Sequence, residues 1–433
     1  MWRRHCGWIM ERALFCLVLV LLSIFPSVAK TGSRFVQIPA GGWDPGPELR
    51  RQYEGSIVDW VRRVDVHPEA LSGDSIEVDL FDMTVRLERV AGYPAGDAPD
   101  PVHALAVQNG GTSSGTMPSR LRWAGVTASS SSPCTDVEGM VRVSEASDGR
   151  LQAIFDIGSL RYELQGSVLI RKDLRRLPRE APVRDVSPAV PGAAASAEYL
   201  PAGKSTVRVL FGYGTAAIGT DREEVFAEMR KAVCLANKGF SDSGIQIELE
   251  RAGNALPGYR ETGVTQTLDD LMAGRRGALG FMHQVRDVAK ADIVLMIIDT
   301  GSSLSFCGQA QRLLATKETA FAAVERNCLG ASTSSLAHEI GHLFGADHEP
   351  ANASISPPRF SYGHGYQAPD NVPDRWRTVM SYECSGVPCH RVNLWSSPDL
   401  SHNGLPAGTE KTHHNVRVLN ETRQMIADFY PWP

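Results

Sequence analysis

His338-Glu339-Ile340-Gly341-His342-Leu343-Phe344-Gly345-Ala346-Asp347-His348 decides how the rest of the chain is read. The spacing is H-E-x-x-H-x-x-G-x-x-H. On a helix, residues four apart share a face, so His338 and His342 can hold one metal ion together. Glu339 lies beside the first of them, where its carboxylate can reach a water on that ion. Gly345 tolerates a positive φ and lets the chain leave the helix sharply, which brings His348 round as a third ligand. Three nitrogens leave a fourth position open, the arrangement of a catalytic zinc site rather than a closed structural one. Histidines gathered by chance on an ordinary helix would leave the Glu, the Gly and the third His unexplained.

The pattern resembles that of the metzincin zinc peptidases. Downstream, Thr378-Val379-Met380-Ser381-Tyr382 resembles their Met-turn, which implies that Met380 forms the hydrophobic floor beneath the three histidines. Tyr382 stands where the astacin and serralysin branches carry a tyrosine that approaches the metal or the transition-state oxyanion. A packed core tyrosine is the alternative. From about residue 205 onward the chain looks most like the reprolysin-like bacterial peptidases, and among them the peptidyl-Asp metalloendopeptidase family. That resemblance rests on Ala291-Asp292-Ile293-Val294-Leu295, Phe306-Cys307-Gly308, Tyr362-Gly363-His364-Gly365-Tyr366, the Met-turn itself and Asn393-Leu394-Trp395-Ser396-Ser397-Pro398. Glu349, where several reprolysin-like enzymes have Asp, departs from it.

The resemblance implies Zn2+ as cofactor, protein or peptide substrates, and a zinc-activated water with Glu339 as general base. It also implies an extracellular enzyme made as a precursor, and cleavage beside acidic residues. A cation near the Met-turn would suit that preference, because Arg pairs bidentately with carboxylates. Arg375, Arg377 and Arg391 are the candidates, with Arg377 put forward. His364, between glycines, is expected to be structural or substrate-facing rather than a fourth ligand. His413 and His414 read as surface residues.

At 433 residues the chain is long enough for two domains. A net charge of −5, with no basic patch interleaved with aromatics, gives no case for nucleic-acid binding. Arg3, Arg4 and Arg12, the apolar run Ala13 to Phe25 and Ser27-Val28-Ala29 predict a signal peptide over 1–29. The run is shorter than the ~20 residues that comfortably span a bilayer, so secretion without stable membrane association is expected. An uncleaved anchor is the alternative.

Residues 30–180 are expected to form a β-rich N-terminal domain, read as a propeptide. Ile76 to Leu80 and Thr84 to Val90 alternate as strands do, and Asp148-Gly149 joins Met140–Val143 to Leu151–Ile157 as a hairpin. The Gly-, Pro- and Ser-rich stretch 96–133 reads as loop or a poorly ordered insert. Residues 181–204, with Pro182, Pro188, Pro191 and Pro201, read as an exposed linker. Arg175-Arg176 just before it is either a processing site or surface charge. From 205 to 433, strands at 207–211, 245–249, 291–298 and 319–324 alternate with helices at 221–237 and 279–288. A zinc-binding helix over 333–344 and a final helix over 415–429 complete this part. The expected fold is α+β: a metzincin-like catalytic domain with a mixed twisted sheet, a long active-site helix and a C-terminal subdomain.

Of the eight cysteines, Cys6 and Cys16 would leave with the signal peptide. Cys384 with Cys389, and Cys307 with Cys328, are plausible disulfides. Cys134 either pairs with Cys234 or supplies a thiolate to the zinc as a latency switch. Two readings compete with a peptidase precursor. One is a non-catalytic exported binding protein on a metal-organised fold, which the presence of Glu339 opposes. The other makes the N-terminal domain a permanent binding module.

Overall fold

The computed structural model describes residues 33–431 apart from 40–46, 49–50, 52–56, 82, 90–119, 128–139, 147, 158–159, 187–202, 220–221, 331–333 and 387. The expected signal peptide and Cys134 lie outside the described residues.

The first part of the chain forms one ten-stranded sheet. Its strands are β1 (Ser33–Gln37), β2 (Val58–Arg63), β3 (Asp65–Val66), β4 (Ser75–Leu80), β5 (Met83–Arg89), β6 (Arg120–Thr127), β7 (Met140–Glu145), β8 (Leu151–Ile157), β9 (Leu160–Gln165) and β10 (Val168–Asp173), in the order β2-β10-β9-β8-β7-β6-β5-β4-β1-β3. From β4 to β10 each strand pairs antiparallel with the next. The turn at Asp148-Gly149 joins β7 to β8 with Gly149 at φ 81°, where an L side chain would be strained. Phe35, Ile76, Val78, Val143, Phe155 and Tyr162 make this sheet's core. β6 corrects the expectation of a loop throughout 96–133: its backbone pairs Arg89 with Gly125 and Trp123 with Val143. The Ser- and Gly-rich flanks hid a strand whose partners lie outside the stretch.

A second sheet has five strands: β11 (Ser205–Tyr213), β12 (Ile247–Ala255), β13 (Ile293–Ile298), β14 (Gly308–Ala310) and β15 (Phe321–Glu325), ordered β12-β11-β13-β15-β14. All pairings are parallel except β14 with β15. Helices α1 (Arg222–Asp242), α2 (Val264–Met272), α3 (Gly280–Ala289), α4 (Ser335–Leu343) and α5 (Asn415–Ala427) surround it. The continuous apolar run of β13 follows from cover on both faces. Ile293, Leu295 and Ile297 join a core with α1, α4, α5, Met380 and Trp395. Val294, Met296 and Ile298 join another with Leu268, Leu271, Met282 and Val285 of α2 and α3. The architecture is thus mixed α+β. Helix α2 went unread, although Val264, Leu268 and Leu271 lie on one helical face.

Both expected disulfides form, Cys307–Cys328 and Cys384–Cys389, and Cys234 is disulfide-bonded too. Residues 181–186, expected to begin an exposed linker, instead run along β14. Ala181 and Val183 are buried there, and Ala181 N–H donates to Gly308 O at 2.8 Å.

Candidate active site

Every residue of α4 is buried, because the helix lies between β15 and the segment around Met380. Gly341 makes the close approach possible. A Cβ there would sit 2.7 Å from Met380 Sδ and 2.7 Å from the Trp395 ring. Met380 therefore lies directly against the helix. The helix ends at Leu343 with Phe344 as its cap, and Gly345 takes φ 97°. That left-handed turn carries His348 back over the helix.

The three imidazoles converge. His348 Nε2 is 3.2 Å from His338 Nε2 and 3.1 Å from His342 Nε2. On the far side each ring meets a backbone carbonyl: His338 Nδ1 with Val379 O at 2.9 Å, His342 Nδ1 with Ala346 O at 2.9 Å, and His348 Nδ1 with Asn352 O at 3.1 Å. A carbonyl accepts only, so each Nδ1 carries the proton and each Nε2 turns a lone pair to one common point. Three lone pairs facing one another are repulsive unless a cation lies between them, so the residues fit a metal ion. Burial pushes His338 down to about 3, and His342 and Arg391 add to this against the pull of Glu180. Burial likewise lowers His342, and His348 lies well below its ordinary value. All three are neutral, the ligating form.

Glu339 is fully buried beside them. Neither of its carboxylate oxygens has a well-formed hydrogen bond among the described residues. Burial raises its pKa well above the usual carboxylate range and the charge of Glu180 adds to this, while Arg391 and the Ala310 amide pull the other way. The ring of Tyr382 lies 3.9 Å, centroid to centroid, from that of His348, and its buried hydroxyl has no partner among the described residues. Burial raises its pKa first, then the charges of Glu339 and Glu180, so the hydroxyl keeps its proton.

The departure at Glu349 has a physical role. One of its carboxylate oxygens accepts the Tyr382 N–H at 2.9 Å and the other takes the Asn352 side-chain amide. It thereby joins the third histidine's loop to the Met-turn. Asp347 accepts the backbone amides of His348 and Ser354, which fixes the same loop. His364 Nδ1 meets His348 O at 2.8 Å and supports that ligand from outside. His413 and His414 are half-buried, not on the surface; His413 packs edge-on against Tyr366.

Two short parallel strands, β16 (Trp376–Arg377) and β17 (His390–Arg391), set Arg377 beside Arg391. Arg377 donates to Ser381 O at 2.6 Å and pairs with Glu383 at 2.9 Å, so it holds the loop after the Met-turn. Arg375 donates to Ala368 O and pairs with Asp370. Arg391 instead takes a carboxylate from far upstream. Its two terminal nitrogens donate to Glu180 at 2.6 and 3.0 Å. Sequence reasoning passed over Glu180, which carries no local signal.

Three convergent imidazoles, two of them on an H-E-x-x-H helix and the third after a glycine turn, define a metallopeptidase centre. Comparison with known sequences agrees. Residues 212–396 match the profile of metallo-peptidase family M12. A peptidyl-Asp metalloendopeptidase from Stenotrophomonas maltophilia (strain R551-3) is 34% identical over 293 residues, 65% of this chain. The chain spans about two thirds (66%) of the length of that relative. A protein of the same name from Xanthomonas campestris pv. campestris is 30% identical over 420 residues, covering 94% of this chain and 88% of its own. Metalloproteinase-II from Bacteroides fragilis aligns with 66% of this chain and 85% of its own at 13% identity, with a TM-score of 0.31. The chain belongs to the reprolysin-like metallopeptidases, a family of zinc metalloendopeptidases.

Proposed function

We propose that the chain is a secreted zinc-dependent endopeptidase, made with a removable N-terminal propeptide over residues 30–180, that prefers acidic residues at the cleavage site. The convergence of three Nε2 atoms beside the buried Glu339, whose oxygens have no well-formed hydrogen bond among the described residues, carries the reading. His338, His342 and His348 would hold the zinc ion. When bound it supplies Lewis acidity at the reacting carbonyl and lowers the pKa of water. Glu339 takes a proton from the attacking water as its oxygen bonds to the carbonyl carbon, and delivers it to the amine as the C–N bond breaks. The Tyr382 hydroxyl donates to the carbonyl oxygen as charge develops there. Glu349 and Asp347 keep the third ligand and the Met-turn in register. The acidic preference is supported by the name of the two relatives and by the arginine pair at 377 and 391. Among the described residues no helix is long and apolar enough to cross a membrane.

The test is hydrolysis of a protein substrate by the purified chain with and without chelator, beside Glu339→Ala. The products and the enzyme's own N-terminus are sequenced. Chelator-sensitive cleavage that Glu339→Ala abolishes is expected. No such cleavage, even after the upstream segment has been removed, would overturn the reading.

A further inference from the structure

One edge of β14 pairs with β15, and the other is covered by the chain's own residues 179–185. Cys307 N–H donates to Arg179 O at 3.0 Å, Ala181 N–H to Gly308 O at 2.8 Å and Asp185 N–H to Gln311 O at 2.8 Å. The two stretches run parallel. This is strand addition to a sheet edge, the mode by which an extended peptide gains affinity from main-chain bonds and specificity from its side chains.

The covered edge lies at the catalytic centre. Gly308, which holds Ala181, is so close to Glu339 that a Cβ there would lie 2.7 Å from the carboxylate. The Arg179 guanidinium lies 5.0 Å from the centre of the Tyr382 ring. Between these contacts the Glu180 side chain turns inward and is 2% exposed. Arg391 grips it with two nitrogens, and the Ser335 hydroxyl donates to it at 2.9 Å. Ser335 opens α4, one turn before Glu339, and Arg391 is anchored by Ser381 O at 3.2 Å. The pocket is therefore built from the active-site helix on one side and the segment after the Met-turn on the other.

A buried ion pair is a poor way to gain stability, since desolvation offsets most of the attraction. A guanidinium fork is a good way to choose a ligand, because it fits a carboxylate in geometry and in charge. Leaving such a fork unpaired penalises a neutral competitor. We propose that Arg391, with Ser335, forms the pocket that reads the acidic side chain of a peptide substrate, and that Glu180 is the chain's own stand-in for it. Residues 179–185 then occupy the cleft until they are displaced. The substrate class is a peptide with Asp or Glu seated beside the catalytic centre. The inference rests on the peptidase reading above, and it moves the specificity role from Arg377 to Arg391.

The test uses the full chain and two peptides that differ only by Asp or Asn at the scissile position. Glu180→Gln keeps the hydrogen-bonding shape and removes the charge. It should raise hydrolysis of the Asp peptide at least tenfold over the unaltered chain and speed hydrogen exchange at the amides of Ala181 and Asp185. Arg391→Gln should lower the Asp-to-Asn ratio of kcat/KM at least tenfold relative to Glu180→Gln. If that variant does not fold, Arg391→Lys keeps the charge without the fork and should lower the ratio at least threefold. An unchanged ratio in the folded Arg391 variant overturns the pocket, and unchanged rate and exchange in Glu180→Gln overturn the plug. If no variant shows chelator-sensitive hydrolysis even after the upstream segment has been removed, the peptidase reading itself falls. The exchange data then judge the contact alone, and unchanged exchange overturns it.

Discussion

Glu339 and Glu180 are enclosed in one cleft, yet their surroundings differ as much as two buried carboxylates' can. Glu339 sits among neutral imidazoles with no well-formed hydrogen bond among the described residues, and burial carries its pKa far up. Burial also acts on Glu180, but Arg391, with Arg377 behind it, outweighs that effect and holds it well below the usual range. An isolated buried charge costs several kcal/mol, so one site is left poised and the other is neutralised. On the proposed reading, the contrast separates a group used for proton transfer from a group that fills a pocket. A base must be able to gain a proton at working pH, whereas a plug must stay charged to be held.

Four measurements would break or sharpen this contrast. Glu339→Gln removes the poised carboxylate and keeps its shape. kcat should fall by about 10²–10⁴-fold with metal content unchanged, measured by peptide turnover beside metal analysis; a smaller loss would deny Glu339 the role of base. Tyr382→Phe tests whether the unpartnered hydroxyl serves the same chemistry. Loss of one oxyanion donor predicts a fall of about 10²-fold in kcat with little change in KM, and unchanged turnover would make Tyr382 a packing residue.

A third enclosed carboxylate, Glu325, sharpens the comparison through pH. Burial raises it to about 7, although Thr300 donates to it from both its hydroxyl and its backbone amide. Its folded value lies above its ordinary one, so between about 4.5 and 7 the folded state holds the proton that the unfolded state has released. Its contribution to stability therefore falls as pH rises through that window, by up to about 3 kcal/mol. Glu325→Gln should flatten that dependence in urea unfolding midpoints at pH 5 and pH 8. The smallest effect is expected under the metal site. Gly341→Ala would press a methyl against Met380 and Trp395 and should cost about 1–2 kcal/mol by overpacking. A denaturant midpoint that does not move would show that the floor can give.

The histidine centre was legible because its ligands fall within eleven consecutive residues, so helix geometry and one glycine turn suffice to gather them. The run at 291–298 was legible as a buried strand for a similar local reason: an unbroken apolar stretch needs cover on both faces. β14 and β6 were not. A three-residue edge strand has too few side chains to show a period, and β6 is defined by partners at its two flanks. Glu180 and Arg391 are 211 residues apart, and neither segment hints at the other. Proline-rich composition from residue 181 onward suggested a free linker, but composition does not record that β14 offers an open edge to pair with.

The sequence by itself determined the metal-binding motif, the Met-turn and the alternation of strands and helices from residue 205 onward, since these depend on local spacing. Tertiary structure alone decided which arginine meets Glu180 and which stretch covers the cleft. Both depend on the sheet edge and the helix N-terminus being brought together, and long-range packing does that.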